Sequence, residues 1–204
     1  MKKHTKRISI KALNIAVLGA SFSCGVSMNQ TKTESNEIQI YVADLAAYNC
    51  GVLHGRWIDA TQGADGIREE IQEMLAQTPL KNEVAEEYAI HDQEGFGSLE
   101  LHEYTSIDKV AEYAEFIEEH GELGSMLLVE FDIEEATDMM RDRYLGEYES
   151  VEDYAVQFLD DCYEIPKYLE GYIDYRGYAR DLQLNGDIES YELSYREVHI
   201  FCRA

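Results

Sequence analysis

The side chains of this chain that could act chemically are its six histidines, its four cysteines and a large set of 41 aspartates and glutamates. The cysteines form no Cys-x-x-Cys pair, and no two histidines stand four residues apart; the histidines are His4, His54, His91, His102, His120 and His199. Phosphate-binding loops, nucleophile elbows and zinc-protease motifs are absent from the sequence. With so many carboxylates, an acid–base pair would arise by chance. The sequence therefore predicts a protein that is not an enzyme and needs no cofactor or metal ion.

Two metal sites stay open as alternatives. A structural zinc site could form from the separated cysteines Cys24, Cys50, Cys162 and Cys202, whose ordinary state in a cytosolic protein is the free, reduced thiol. Calcium binds acidic loops, but the acidic segment 132–142 lacks the Asp and Gly spacing of an EF-hand loop. We expect a cytoplasmic protein without a bound metal.

Net charge sets this chain apart from most globular proteins. The whole chain carries −24, and residues 39–204, with 39 acidic and 11 basic residues, carry −28. Within 83–164, 26 acidic residues meet only three basic ones, so few neutralising partners lie within a helical turn. The pattern predicts an acidic surface that binds a basic partner. Direct binding to nucleic acid is not expected, because the chain beyond residue 38 has no basic face.

The first 38 residues differ from the rest, with six basic and two acidic side chains. A basic start followed by an apolar run resembles a signal peptide, but Lys11 and Asn14 interrupt the run and no small-residue cleavage site follows. Three interpretations stay open: a dispensable basic tail, a signal peptide, or translated upstream sequence with the true start at Met28. We favour a non-native or dispensable extension over 1–38, and we predict no membrane-spanning segment.

The chain beyond the extension begins with the pattern of a strand pair. Apolar and polar residues alternate over 38–45, and a second apolar run covers 52–58, so the two predict a hairpin joined by a turn at 46–51. Trp57 is expected to pack in the core. Glycines at 63–66 are expected to break the chain. Three further elements are expected downstream: a helix over 67–77 and short strands over 87–91 and 99–104.

Helices dominate the middle of the chain. A helix over 107–120 is expected to bury Val110, Ala114 and Ile117 and to end at Gly121. The later elements expected are helices over 123–131, 133–143, 151–162 and 168–182, and a closing strand or hairpin over 188–201. The fold class is therefore α+β, with strand-containing units at both ends of a helical middle segment.

Five segments of the chain share a pattern with one known family: IYVADLAAYNCGVLHGRWIDA (40–60), EEYAIHDQEGF (86–96), EFDIEEATDMMRDRYLGEY (130–148), YLEGYIDYRGYARDLQLNGDI (168–188) and the final strand. In these segments the chain resembles the ArdA-type antirestriction proteins, which are carried on plasmids and conjugative transposons. The stretch EEATDMMRDRYLGEY is similar to the antirestriction motif of that family. Residues 1–38 have no counterpart in the family pattern.

This resemblance implies an elongated chain of three small domains: an α+β domain over 39–104, a helical domain over 105–146, and an α+β domain over 147–204 that forms a homodimer. It also implies that the acidic surface looks like bent B-form DNA. Such a protein would bind type I restriction-modification complexes in their DNA-binding groove, block access to DNA and protect incoming mobile DNA.

The candidate partner-binding residues are carboxylates that would stand in for DNA phosphates. Those of the motif segment are Glu130, Asp132, Glu134, Glu135, Asp138, Asp142 and Glu147. Those of the wider acidic field are Glu112, Glu115, Glu118, Glu119, Glu122, Glu149, Glu152, Asp153, Asp160 and Asp161. The residues expected to pack beneath the motif are Phe131, Ala136, Met139, Tyr144 and Tyr148. A competing interpretation is that the motif holds a dimer or domain contact and affects function through structure.

A second class of function stays open, that of an acidic chaperone or adaptor that binds basic proteins without DNA geometry. The charge of −28 over 39–204 equals that of about 14 base pairs, or roughly 48 Å of duplex. A DNA mimic should be displaced from its partner by duplex DNA. A chaperone that recognises only positive charge has no such requirement.

Overall fold

The computed structural model describes residues 37–80 and 85–203. The predicted extension over 1–38 therefore lies almost wholly outside the described residues. The described chain divides into two compact units: the first runs up to Phe96 and includes Leu101–Ala111, and the second consists of Gly97–Glu100 and the chain from Glu112 onwards. Each unit contains one sheet together with helices, which confirms the α+β class with strands at both ends of a helical middle. The division into three domains stays a prediction.

The first unit is built on a three-stranded antiparallel sheet in the order β2-β1-β3. Its strands are β1 (Gln39–Asp44), β2 (Gly55–Asp59) and β3 (Tyr88–Glu94). Ile40 of β1 lies opposite Ile58 of β2, and both are fully buried. The alternation seen in the sequence therefore turns one face of the central strand into core, as strand geometry requires.

The connections of this unit differ from the prediction in two places. The expected turn over 46–51 is instead a short helix, α1 (Leu45–Asn49), capped by Asp44, whose Oδ1 accepts the Ala47 N–H at 3.0 Å. The expected break at 63–66 is limited to Gly63, whose φ of 84° is left-handed, because helix α2 (Gly63–Ala76) begins there and continues through Gly66. Glycine within a helix costs about 1 kcal/mol relative to alanine, and burial of the apolar side of α2 outweighs this cost.

The second strand shows why Trp57 is not a core residue. The strand β2 begins at Gly55 rather than at 52, and neighbouring residues of a strand point to opposite faces. Since Ile58 is buried, Trp57 lies on the other face, where it is 36% exposed and its ring lies 5.5 Å from that of Tyr41.

The predicted strand over 99–104 does not form.

Helix α3 (Ile107–Glu130) carries the acidic middle of the chain. Its hydrogen-bonded course is interrupted at Gly121, whose φ of 60° and ψ of −141° are not helical. The sequence predicted this stop, because glycine reaches positive φ without the steric cost that other residues meet. The expected apolar side of Val110, Ala114 and Ile117 is buried.

The helix predicted over 133–143 is present with these bounds, but only its first part is α-helical. Helix α4 (Ile133–Asp138) passes into a π-helical turn over Met139–Arg143, and the strand β4 (Tyr144–Tyr148) follows at once. Gly146 lies within β4 at a register irregularity and has a φ of 129°.

The second unit ends in an antiparallel sheet of order β4-β6-β5, with β5 (Ile188–Ser194) and β6 (Glu197–Cys202) forming the predicted closing hairpin. Its helices are α5 (Val151–Cys162), α6 (Lys167–Glu170) and α7 (Tyr175–Asn185). The single helix predicted over 168–182 is thus two helices. Asp174 starts the second one by accepting the Gly177 N–H at 2.8 Å. Tyr154 of α5, Leu182 of α7 and Ile200 of β6 belong to the shared core.

Three further features concern membranes, metals and thiols. Over 37–80 and 85–203 no helix is long and apolar enough to cross a membrane. Over the same residues no group of three or more His, Cys, Asp or Glu side chains is placed to hold a metal ion. Cys50, Cys162 and Cys202 carry free thiols, and Cys24 lies outside the described residues.

Candidate partner-binding surface

All seventeen candidate carboxylates lie in the second unit, and every one of them is exposed to solvent. They occupy α3, α4, the π turn, β4, α5 and the segments that join these elements. A charged side chain prefers the surface, so exposure alone is ordinary. These carboxylates differ in the hydrogen-bond and ion-pair partners that each one has.

The first group lies along α3 and consists of Glu112, Glu115, Glu118, Glu119 and Glu122. The apolar side of the helix is fixed by Val110, Ala114 and Ile117, so the glutamates are left on the solvent side. Within the described chain none of the five has a Lys or Arg nitrogen within 4.0 Å. Their nearest nitrogen partner is His120, whose Nε2 lies 4.0 Å from Glu119. These charges are therefore neighbours of like sign without compensation, which costs stability.

The second group lies in α4 and the π turn, and here the carboxylates have structural tasks. Asp132 starts α4 by accepting the Glu135 N–H on Oδ1 at 2.9 Å. Arg141 donates to Asp138 at 2.5 Å and to Asp142 at 2.8 Å. The hydrogen bond from Arg141 holds the pKa of the Asp142 carboxyl below its usual value. Arg143 lies 3.7 Å from Glu135. In this part of the acidic surface, arginines of the same segment therefore form ion pairs with several of the carboxylates.

Carboxylates at the edges of the motif segment contact the C-terminal hairpin. The Tyr191 hydroxyl donates to Oε2 of Glu130 at 3.3 Å. Burial raises the pKa of Tyr191, and the nearby Glu130 raises it further, so the phenol stays protonated and remains a donor. Glu149 pairs with Arg196. Glu147 lies on β4 opposite His199 of β6.

The residues predicted to pack beneath the motif do so to different degrees. Ala136 and Met139 are completely buried. Phe131, Tyr144 and Tyr148 are partly buried. The Tyr144 hydroxyl is 2.8 Å from Nδ1 of the buried His199. The apolar side of the motif is therefore core, while its carboxylates remain on the surface.

The third group lies within α5, in its first and last turns, and the two ends of the helix differ. Ser150 begins the helix by accepting the Asp153 N–H on Oγ at 3.1 Å, and it donates to the Asp153 carboxylate at 2.5 Å. Glu152 and Asp153 thus stand at the positive end of the helix dipole, which favours them. Asp160 and Asp161 stand at the opposite end, which disfavours them, and no basic residue lies in that last turn.

The roles of the two motif arginines and of Tyr191 were missed in the sequence. Arg141 follows Asp138 by three residues, and this helical spacing is a usable signal of pairing. Tyr191 and Glu130 are 61 residues apart in the chain, and no local pattern connects them.

Comparison with known protein families finds a match between residues 40–197 of this chain and the family model described as antirestriction protein (ArdA). No curated protein matches the chain. The matched region begins after the predicted extension and contains all seventeen candidate carboxylates.

Proposed function

Because the chain belongs to the antirestriction protein (ArdA) family, we propose that the acidic surface of its second unit binds a type I restriction-modification enzyme in place of DNA. The protein would occupy the DNA-binding groove of that enzyme, carry out no reaction itself, and protect incoming mobile DNA. The observation that carries this proposal is the state of the seventeen candidate carboxylates. All are exposed, and within the described chain only four lie within 4.0 Å of a Lys or Arg nitrogen: Glu135, Asp138, Asp142 and Glu149.

Uncompensated charge has opposite effects in the free protein and in its complex with a cationic partner. Repulsion among exposed carboxylates opposes folding of the free protein. In the cationic groove of a DNA-binding enzyme the same charges find the Lys and Arg side chains that would otherwise contact phosphates. Duplex DNA carries one negative charge per roughly 1.7 Å of its axis, and a protein that replaces it must offer many charges rather than one. Many exposed, unpaired carboxylates meet this requirement.

The direct test is inhibition of a purified type I restriction-modification enzyme, measured separately for its endonuclease and methylase activities. We expect inhibition at low salt that weakens steeply as the salt concentration rises. Phosphate-like contacts release bound counterions when the complex forms, and a higher salt concentration opposes this release. An affinity that is the same at low and moderate salt would contradict the proposal.

Competition separates a DNA mimic from an acidic chaperone. If the protein occupies the DNA-binding groove, unlabelled duplex DNA should displace it from the enzyme in a concentration-dependent manner. Binding that persists at saturating duplex would favour a partner site outside the groove. It would support the class of acidic adaptors instead.

We further propose that the protein is a homodimer through its C-terminal part. The segment between α5 and α7 exposes several apolar side chains, which is unusual for a monomer surface. Tyr163, Tyr168 and Tyr172 are 60%, 76% and 87% exposed, and Leu169 is 43% exposed. Light scattering should give the mass of a dimer for the intact chain and of a monomer after Tyr168→Asp and Tyr172→Asp. A wild-type chain that is monomeric at every concentration would exclude the dimer.

A further inference from the structure

A cleft with a volume of about 450 Å³ lies in the second unit, between α3 and the segment made of α4 and the π turn. We call it the α3–α4 cleft. Its floor is apolar: Phe116 is almost fully buried, and Ile133 and Met140 are partly buried around it. A cleft of this volume accommodates a ligand larger than one water molecule or one ion.

One rim of the α3–α4 cleft is acidic. Glu112, Glu115 and Glu119 line it from α3, and their spacing of three and four residues places them on one side of that helix. All three are exposed, and none has a Lys or Arg partner among the described residues; His120 also lines the cleft, with its Nε2 4.0 Å from Glu119. The rim therefore offers several free carboxylate oxygens beside an apolar floor.

The opposite rim contains Arg141, which does not neutralise these glutamates. Its guanidinium is already held by Asp138 and Asp142 on its own segment. Two carboxylates within hydrogen-bond distance already offset the positive charge of this guanidinium, so little of it is left to offset the charge of the rim glutamates. The cleft thus keeps a negative field although a cation lines it, and a positively charged ligand would complement it.

We propose that the α3–α4 cleft receives one arginine side chain from the DNA-binding surface of the partner, an inference that rests on the proposed function. The aliphatic stem of the arginine would lie against Phe116 and Met140, and its planar guanidinium would donate to two of the rim glutamates at once. Lysine has a compact charge and cannot make this paired contact. DNA phosphates offer no apolar floor, so the cleft supplies a contact beyond charge mimicry.

The first experiment compares two triple variants of equal charge. The cleft variant carries Glu112→Gln, Glu115→Gln and Glu119→Gln, and the matched variant carries Glu118→Gln, Glu122→Gln and Glu134→Gln, which lie on the same helices but do not line the cleft. Affinity for a type I restriction-modification enzyme is measured by calorimetry, after circular dichroism has confirmed folding. Both variants lose affinity, and we expect the cleft variant to lose about tenfold more. Equal losses would overturn the inference.

The second experiment fills the cleft from within. Thr137 is exposed and lines the cleft, so Thr137→Arg places a cation beside the rim glutamates. Gln157→Arg makes the same change of charge at an exposed position of α5 that does not line the cleft. Thr137→Arg should weaken binding to the enzyme about tenfold relative to Gln157→Arg. If the two variants bind alike, the cleft is not the site.

A measurement without the enzyme separates this inference from the proposed function. Wild-type protein that binds no type I enzyme would refute the proposed function. The cleft is then tested with arginine amide as the probe, by recording the methyl resonance of Met140 in wild type and in the cleft variant. A shift that saturates with arginine amide and is lost in the cleft variant supports the inference. An unshifted Met140 methyl, or a shift that citrulline amide reproduces, would overturn it.

Discussion

The acidic side of α3 and the motif segment over 130–148 both carry net negative charge, but only the motif segment pairs its carboxylates with arginines. On α3, five glutamates stand within eleven residues, and no arginine or lysine of the described chain pairs with them. In the motif segment, Arg141 and Arg143 pair with three of the carboxylates, and Asp132 caps a helix. Density of charge is therefore a poor guide to the role of a carboxylate.

The difference teaches which charges are available to a partner. A carboxylate that already pairs with an arginine of its own chain adds little to the binding free energy when it contacts a cation of the partner. An unpaired carboxylate adds the full electrostatic interaction. The α3 glutamates should therefore dominate binding. The motif segment should contribute mainly by holding α4, the π turn and β4 on the core that Ala136 and Met139 help to form. Four changes to the chain would break or sharpen this comparison.

The largest effect is expected from removing the unpaired charge in one variant. The amide substitutions are those at Glu112, Glu115, Glu118, Glu119, Glu122 and Glu134. We expect affinity for a type I restriction-modification enzyme to fall about a thousandfold, because six phosphate-like contacts with the enzyme are lost together. The matched control carries six amide substitutions at exposed positions outside the candidate surface: Glu37, Glu69, Glu86, Glu87, Glu100 and Glu103. A control that loses as much affinity would show that only total charge matters.

The next effect concerns stability and tests the structural role of the motif segment. Met139 is completely buried and its neighbour Met140 is partly exposed. Met139→Ala should lower the free energy of unfolding by about 3 kcal/mol, since it leaves a cavity in the core. Met140→Ala should lower it by clearly less. Urea-induced unfolding measures both, and similar losses would mean that the apolar side of the motif is not the part of the core described above.

A smaller effect is expected from freeing the paired carboxylates. In Arg141→Gln, the pKa of Asp142 should rise towards its ordinary value, because the hydrogen bond that lowers it is lost. A lowered folded-state pKa stabilises the protein above the unfolded-state pKa, and this contribution disappears as the pH falls through the folded-state value. The stability difference between wild type and variant should therefore be present at neutral pH and vanish in acid. Carboxyl NMR gives the pKa, and an unshifted Asp142 would refute the pairing.

The smallest effect is expected from a single unpaired charge. Glu118→Gln removes one of many carboxylates that share the task, so affinity should fall by less than about twofold. Stability should stay the same or rise, because like-charge repulsion on α3 is relieved. If this one amide abolished inhibition in a folded protein, a discrete site would operate in place of a distributed field.

Local sequence signals predicted those parts of the fold that depend on residues close together in the chain. The stop at Gly121 and the alternation of β1 are decided within a few residues, and both are present in the structure. The same signals failed where distant packing decides. Trp57 lies on the exposed face of β2, and the helix expected over 133–143 changes from α to π at Met139.

The sequence by itself determined the sign and density of the charge, the acidic residues concerned and the family to which they belong, since these depend on composition and local motifs. Only the tertiary structure decided which of the charges are unpaired. The partners of Glu130 and Glu149 are 61 and 47 residues away in the chain, and the α3–α4 cleft is lined by residues of two helices and the π turn. Pairing depends on distances in space, and a linear pattern does not contain them until the core has placed the helices and strands.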